Sequence, residues 1–77
     1  MSRIAPIKWR RFEKFLFAVG CKFIRQESSH RVYWKEGLNR PIILPTYDPV
    51  PVFIIKNTLR SLGIDNMTYL KILRKTK

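Results

Sequence analysis

Cysteine, histidine and acid are all scarce in this sequence, and each scarcity closes off a class of protein. The single cysteine, Cys21, excludes an intramolecular disulfide, and one Cys with one His leaves no tetrahedral zinc set. That lone thiol reads as a small buried hydrophobe in a reducing compartment. The five acids are dispersed and make no carboxylate cluster for magnesium. No apolar run approaches the roughly 18–20 residues needed to span a bilayer. The N-terminus lacks the basic, apolar and small-residue order of a secretory signal. The expectation is a cytoplasmic chain with no membrane contact, no metal and no cofactor.

What the chain does have is positive charge. Sixteen Lys and Arg give it a formal +11. Ten bases and three acids fall in residues 1–40, six bases and two acids in residues 41–77, so the excess is not confined to a tail. A folded domain so charged attracts polyanions, and release of condensed counterions drives binding at low salt. Nucleic acid, RNA included, is the expected partner class; an acidic protein partner is the rival. The length of 77 residues makes residues 1–77 one domain. Such a chain buries only about 60–65% of its unfolded surface, so its core is small. An apolar content of 45% is that of a folded domain, not a disordered one.

The pattern along the chain predicts α-β-β-β-α-α. From Ile7, a stripe of Trp9, Phe12, Leu16 and Val19 has helical spacing, and Gly20 stops it as a left-handed residue. Phe23 and Ile24 favour a strand over Cys21–Gln26. Glu27-Ser28-Ser29 reads as a turn, and His30–Lys35 as a second strand. Glu36-Gly37-Leu38-Asn39 connects to a third strand, Arg40–Leu44, whose flanking Pro41 and Pro45 suit an edge position. Pro51 opens a second helix with Val52, Ile55, Leu59 and Leu62 inward, ended by Gly63. Asp65 caps a third, with Met67, Leu70 and Leu73 inward and Lys71, Arg74, Lys75 and Lys77 near its C-terminal end. The fold class is therefore α+β, a three-stranded antiparallel sheet with helices on one face. This layout resembles the double-stranded-RNA-binding domain, though topology alone does not establish function.

Three stretches carry a closer resemblance. Residues 20–33, Gly-Cys-Lys-Phe-Ile-Arg-Gln-Glu-Ser-Ser-His-Arg-Val-Tyr, are similar to the signature of HicA-type toxins of bacterial toxin–antitoxin systems. That signature has a glycine after the first helix, Arg-Gln before a Gly-Ser-His turn, and an aromatic three residues past the His. Ile42-Ile43-Leu44-Pro45 resembles the family's third strand, and Asn57-Thr58-Leu59-Arg60 its Gly-Thr-Leu-Arg helix motif. Ser28 and Asn57 stand where the family usually has glycine; Asn tolerates the left-handed region and can cap. The resemblance implies an mRNA interferase, an endoribonuclease that arrests translation and is neutralised by a cognate HicB-type antitoxin. It ties catalysis to the turn histidine, here His30.

Metal-free RNA cleavage needs a base for the 2′-hydroxyl proton, an acid for the leaving 5′-oxygen and cations for the phosphorane. Histidine suits the proton work and arginine's planar fork suits phosphate. Arg25, Arg31, Lys35, Arg40, Lys56 and Arg60 are the candidate RNA contacts, and Trp34 a candidate for base stacking or partner contact. With one histidine, the acid falls to a Lys, a Tyr, a solvent proton or a second subunit. Alternation puts His30, Val32 and Trp34 on one face of their strand. Apolarity would turn that face toward the helices. The resemblance instead turns Tyr33 inward and His30 outward, the arrangement adopted because His30 has to reach RNA; a bulge at Ser28-Ser29 would reconcile the two. The rival functions are a non-enzymatic RNA-binding module and a basic protein-interaction domain.

Overall fold

The structure, a computed structural model, describes residues 3–76. Helix α1 (Trp9–Ala18) is followed by strands β1 (Lys22–Glu27), β2 (His30–Trp34) and β3 (Ile42–Pro45), then helices α2 (Val52–Leu62) and α3 (Asn66–Lys75). The order is the expected α-β-β-β-α-α. The strands form one antiparallel sheet, β1-β2-β3, with β2 central. The architecture is α+β and consistent with the double-stranded-RNA-binding-domain layout.

The inward face of the sheet is decided by β2. Tyr33 is fully buried with Ile42 and Leu44 against Phe12, Phe15 and Leu16 of α1, Ile55 and Leu59 of α2, and Tyr69 and Leu73 of α3. Phe15 and Tyr69 meet edge to face at 4.8 Å, which joins the first helix to the last. Cys21 is buried in the same core, and burial pushes its thiol pKa up, partly opposed by the nearby Lys35 ammonium.

Each helix stops or starts for a local reason. Gly20 and Gly63 take positive φ just beyond α1 and α2. The Asp65 carboxylate accepts from the Thr68 amide at 2.8 Å and caps α3, which lowers its pKa. The α1 N-terminus is different. Lys8 offers no side-chain cap; Asp48 does so from 39 residues away, its Oδ1 accepting from the Trp9 amide at 2.7 Å. Next to it Ile7 does not begin the helix but bridges Val50, whose amide donates to the Ile7 carbonyl at 2.7 Å.

Several expected placements are corrected. The first two strands lie at 22–27 and 30–34, and the third at 42–45, so Pro45 is inside the edge strand, where it forfeits no ladder bond. Trp9 is only half-buried, lying beneath the Arg10 and Arg31 guanidiniums, and Met67 is exposed. Tyr69 takes the core position the spacing gave to Met67. Asn57 neither caps nor turns left-handed; it is exposed inside α2. The bulge is at Ile24, not at Ser28-Ser29, because the register slips by one between Phe23 and Arg25. Lys77 lies outside the described residues.

Candidate active site

His30 opens β2 after the two-residue loop Ser28-Ser29. Ser28 has φ of +57°, and Ser29 is not in the left-handed region. Positive φ at the first loop residue alone is the pattern of a type II′ hairpin turn, where glycine is favoured. Ser28 therefore adopts the glycine conformation despite its Cβ, at a cost of about 1–2 kcal/mol.

The loop is held from both sides. Gln26 Nε2 donates to the Ser28 carbonyl at 3.0 Å. Thr46, just past β3, donates to the Ser29 carbonyl twice, from its amide at 2.8 Å and its hydroxyl at 2.9 Å. Gln26 is itself fixed, its Oε1 accepting from Arg31 Nη1 at 2.9 Å. Arg31 in turn reaches α1: its Nε donates to Glu13 Oε2 at 2.8 Å and to the Tyr33 hydroxyl at 3.1 Å, and Tyr33 donates to the same Glu13 oxygen. The Arg31 guanidinium also lies 4.0 Å over the Phe23 ring. The histidine's loop is thus tied through Gln26 and Arg31 to the first helix.

His30 itself is exposed, with no side-chain hydrogen bond or ion pair among the described residues. It shares a face with Val32 and Trp34, and since Tyr33 is in the core, that face is the open one. Register adds Glu27 and Pro45 opposite His30, Arg25 and Ile43 opposite Val32, and Lys22 opposite Trp34. The Ile24 bulge is what puts Arg25 here. Without the extra residue Arg25 would sit across from Arg31, facing the helices. Arg25 pairs with Glu27, Nε to Oε2 at 2.5 Å, both side chains more than half exposed. Val32 is buried although outside the core, while Trp34 and Ile43 beside it are 38% and 47% exposed.

Of the candidate RNA contacts, only Arg25 shares His30's face. Arg31 points to the helix side, with about one-fifth of its side chain exposed, and is engaged by Glu13. Lys35 lies against Gly20, its Cε 3.6 Å from where a Cβ would be. Arg40 lines a shallow hollow with Asn39 and Ser61, and Lys56 and Arg60 are exposed on α2. Glu13, Asp48 and Thr46 carry no local sequence signal, because their partners are distant in the chain, and Glu27 is placed opposite His30 only by register. Among the described residues no three His, Cys, Asp or Glu gather where they could hold a metal ion.

A glycine-type turn presenting an unpartnered histidine on the open face of a helix-backed sheet agrees with the family comparison. Residues 9–64 match the family described as HicA toxin of bacterial toxin-antitoxin. The chain belongs to the HicA toxin family. The match runs from the first residue of α1 to just beyond Gly63, so α3 lies outside it. Comparison with curated proteins and comparison with solved structures give no match. Membership in the HicA family makes the chain a toxin of a toxin–antitoxin system and implies an antitoxin as its partner. No helix among the described residues is long and apolar enough to cross a membrane.

Proposed function

We propose that this HicA-family toxin is a metal-independent endoribonuclease that cleaves mRNA in the cytoplasm, with His30 as its catalytic residue. The observation that carries the reading is an exposed, unpartnered imidazole on a loop fixed from both flanks. Its neighbours supply the rest of the chemistry. Arg25 offers a guanidinium fork to a phosphate, and Trp34, at the other end of the same strand face, offers an indole on which a base stacks.

In the reaction His30 takes the proton of the ribose 2′-hydroxyl. The 2′-oxygen then bonds to the adjacent phosphorus, and the bond to the 5′-oxygen breaks. The products are a 2′,3′-cyclic phosphate and a 5′-hydroxyl. The leaving oxygen takes its proton from solvent or from the Lys22 ammonium on the same face. Tyr33 is unsuited to that role: it is buried on the opposite face and its pKa is raised by burial and by Glu13. The donor set supports a metal-free route, since histidine and arginine together provide proton transfer and charge stabilisation.

A HicB-type antitoxin fits the same face. Trp34 and Ile43 flank Val32 as an apolar centre with charged residues around it, and a partner seated there would cover His30. The deciding experiment pairs wild type with His30→Ala in induced expression and in cleavage of purified RNA. Wild type halts growth and yields cyclic-phosphate ends; His30→Ala does neither yet binds RNA as before. Equal toxicity of the two would refute the assignment.

A further inference from the structure

Away from His30, the helical layer holds a second cationic feature that the proposed reaction does not use. Arg3, Arg11, Lys71 and Arg74 surround a cleft of about 590 Å³ between α1 and α3, floored by Met67, Leu70 and Leu73. Among the described residues no carboxylate lines it. Arg11 is set in place across the two helices, its Nη2 donating to the Leu73 carbonyl at 3.4 Å, which leaves its other N–H groups for a ligand. Asp65 feels the Lys71 charge, but its carboxylate already accepts from the Thr68 amide and does not line the cleft. Along α1 the cleft continues into a second basic hollow formed by Arg11 with Lys8, Arg10 and Lys14.

Four cations converging with no lining acid among the described residues repel one another, so the arrangement is stabilised by an anion. Three of the four are arginines, the residue whose fork matches phosphate oxygens. The hollow beyond extends the positive strip along the helix, past the reach of one phosphate group. Repeated phosphates along a strand fit such a strip. We infer that the α1/α3 cleft is an RNA-backbone exosite: it holds one stretch of an RNA while His30, on the opposite face of the sheet, acts on another. This rests on the ribonuclease reading, and it assigns long RNAs as preferred substrates. The domain measures 36 × 27 × 21 Å, so only an RNA long enough to pass round its edge engages both faces. The second contact then becomes intramolecular and raises affinity through effective concentration.

The test uses the full chain with Lys71→Gln/Arg74→Gln, and Arg3→Gln as a second variant outside any helix. RNA binding is read by fluorescence anisotropy against salt, and cleavage on a long transcript and on an RNA too short to pass round the domain. For single strands each lost phosphate contact lowers the salt slope by about 0.7, or roughly fivefold in affinity at 0.1 M relative to 1 M salt. The double variant therefore binds the long RNA about 25-fold more weakly at 0.1 M salt, with a raised KM and unchanged kcat on it, and cuts the short RNA like wild type. An unchanged salt slope on the long RNA overturns the inference, as does an equal loss on both RNAs. Normal RNA binding with weakened antitoxin binding also overturns it and gives the cleft to an acidic protein segment. If wild type cuts no RNA but the slope change appears, the ribonuclease reading fails and the RNA site stands.

Discussion

Two ion pairs among the described residues, Glu13–Arg31 and Glu27–Arg25, are predicted to differ sharply in worth, and Glu13→Ala tests the one that anchors the candidate site. Glu13 and Arg31 expose only 15% and 21% of their side chains, whereas Glu27 and Arg25 expose 65% and 55%. An exposed pair contributes about 0–1 kcal/mol. Removing one partner of a buried pair costs about 3–5 kcal/mol, because the other charge is left uncompensated. Arg31 keeps Gln26, the Tyr33 hydroxyl and some contact with water, which reduces the loss. Tyr33 loses its acceptor, which adds to it. The balance is about 2–4 kcal/mol, against a total stability of roughly 5–15 kcal/mol for a domain. In melting temperature that is a fall of roughly 10–25 °C for a chain of this size. Urea titration followed by Trp9 and Trp34 fluorescence measures it, with Glu27→Ala as the control expected within about 0.5 kcal/mol of wild type. Pairing Glu13→Ala with Arg31→Met, which removes the orphaned charge, is expected to recover part of the loss. If Glu13→Ala and Glu27→Ala unfold at the same urea concentration, burial does not set the worth of these two pairs.

Ser28→Gly removes a Cβ from a residue at positive φ and raises stability by about 0.5–1 kcal/mol, net of glycine's greater unfolded-state entropy; a lower urea midpoint would show the turn is not of this kind. Tyr69 has a buried hydroxyl with no hydrogen-bond partner among the described residues, so Tyr69→Phe is neutral or stabilising by up to about 1 kcal/mol, while Tyr33→Phe, which forfeits the Glu13 bond, costs about 1–2 kcal/mol. Equal destabilisation by the two would contradict this. Burial raises both phenols above the ordinary value of 10.0, Tyr69 to about 12 and Tyr33 further. The folded state then holds protons that the unfolded state releases, so this stabilisation is complete below pH 10 and declines as pH rises through 12. Urea midpoints across that range, followed with tyrosinate absorbance, check the sign, and a midpoint rising with pH would reverse it.

Much of the architecture was legible because its causes are local. Apolar residues at helical spacing, ended by Gly20 and Gly63, mark two helices whatever lies around them. The β-branched and aromatic runs between turn residues mark three strands, and short connections make the sheet antiparallel. Helix boundaries failed where the cause was remote. The start of α1 depends on Asp48, and no scan along residues 7–9 reveals a cap from 39 residues away. The third helix misled for a related reason: Met67 and Tyr69 both fit an inward stripe, and only packing against Phe12 and Phe15 selects the tyrosine.

The candidate site divides in the same way. Residue order alone places a lone histidine at the start of a strand after a tight turn, with arginine and tryptophan near it, in a strongly basic domain. Those properties follow from residue order and charge, and they need no partner. Residue pattern left the face of His30 open: apolarity turned Val32 and Trp34, and His30 with them, toward the helices, and only the family resemblance turned His30 outward. Tertiary structure decided it by burying Tyr33 among three helices, with its hydroxyl tied to Glu13. The bulge at Ile24 then turned Arg25 onto the histidine's face and Gln26 onto that of Arg31. A shift of one residue in pairing exchanges the two faces of a strand, and pairing is a property of the folded sheet, not of any segment read alone.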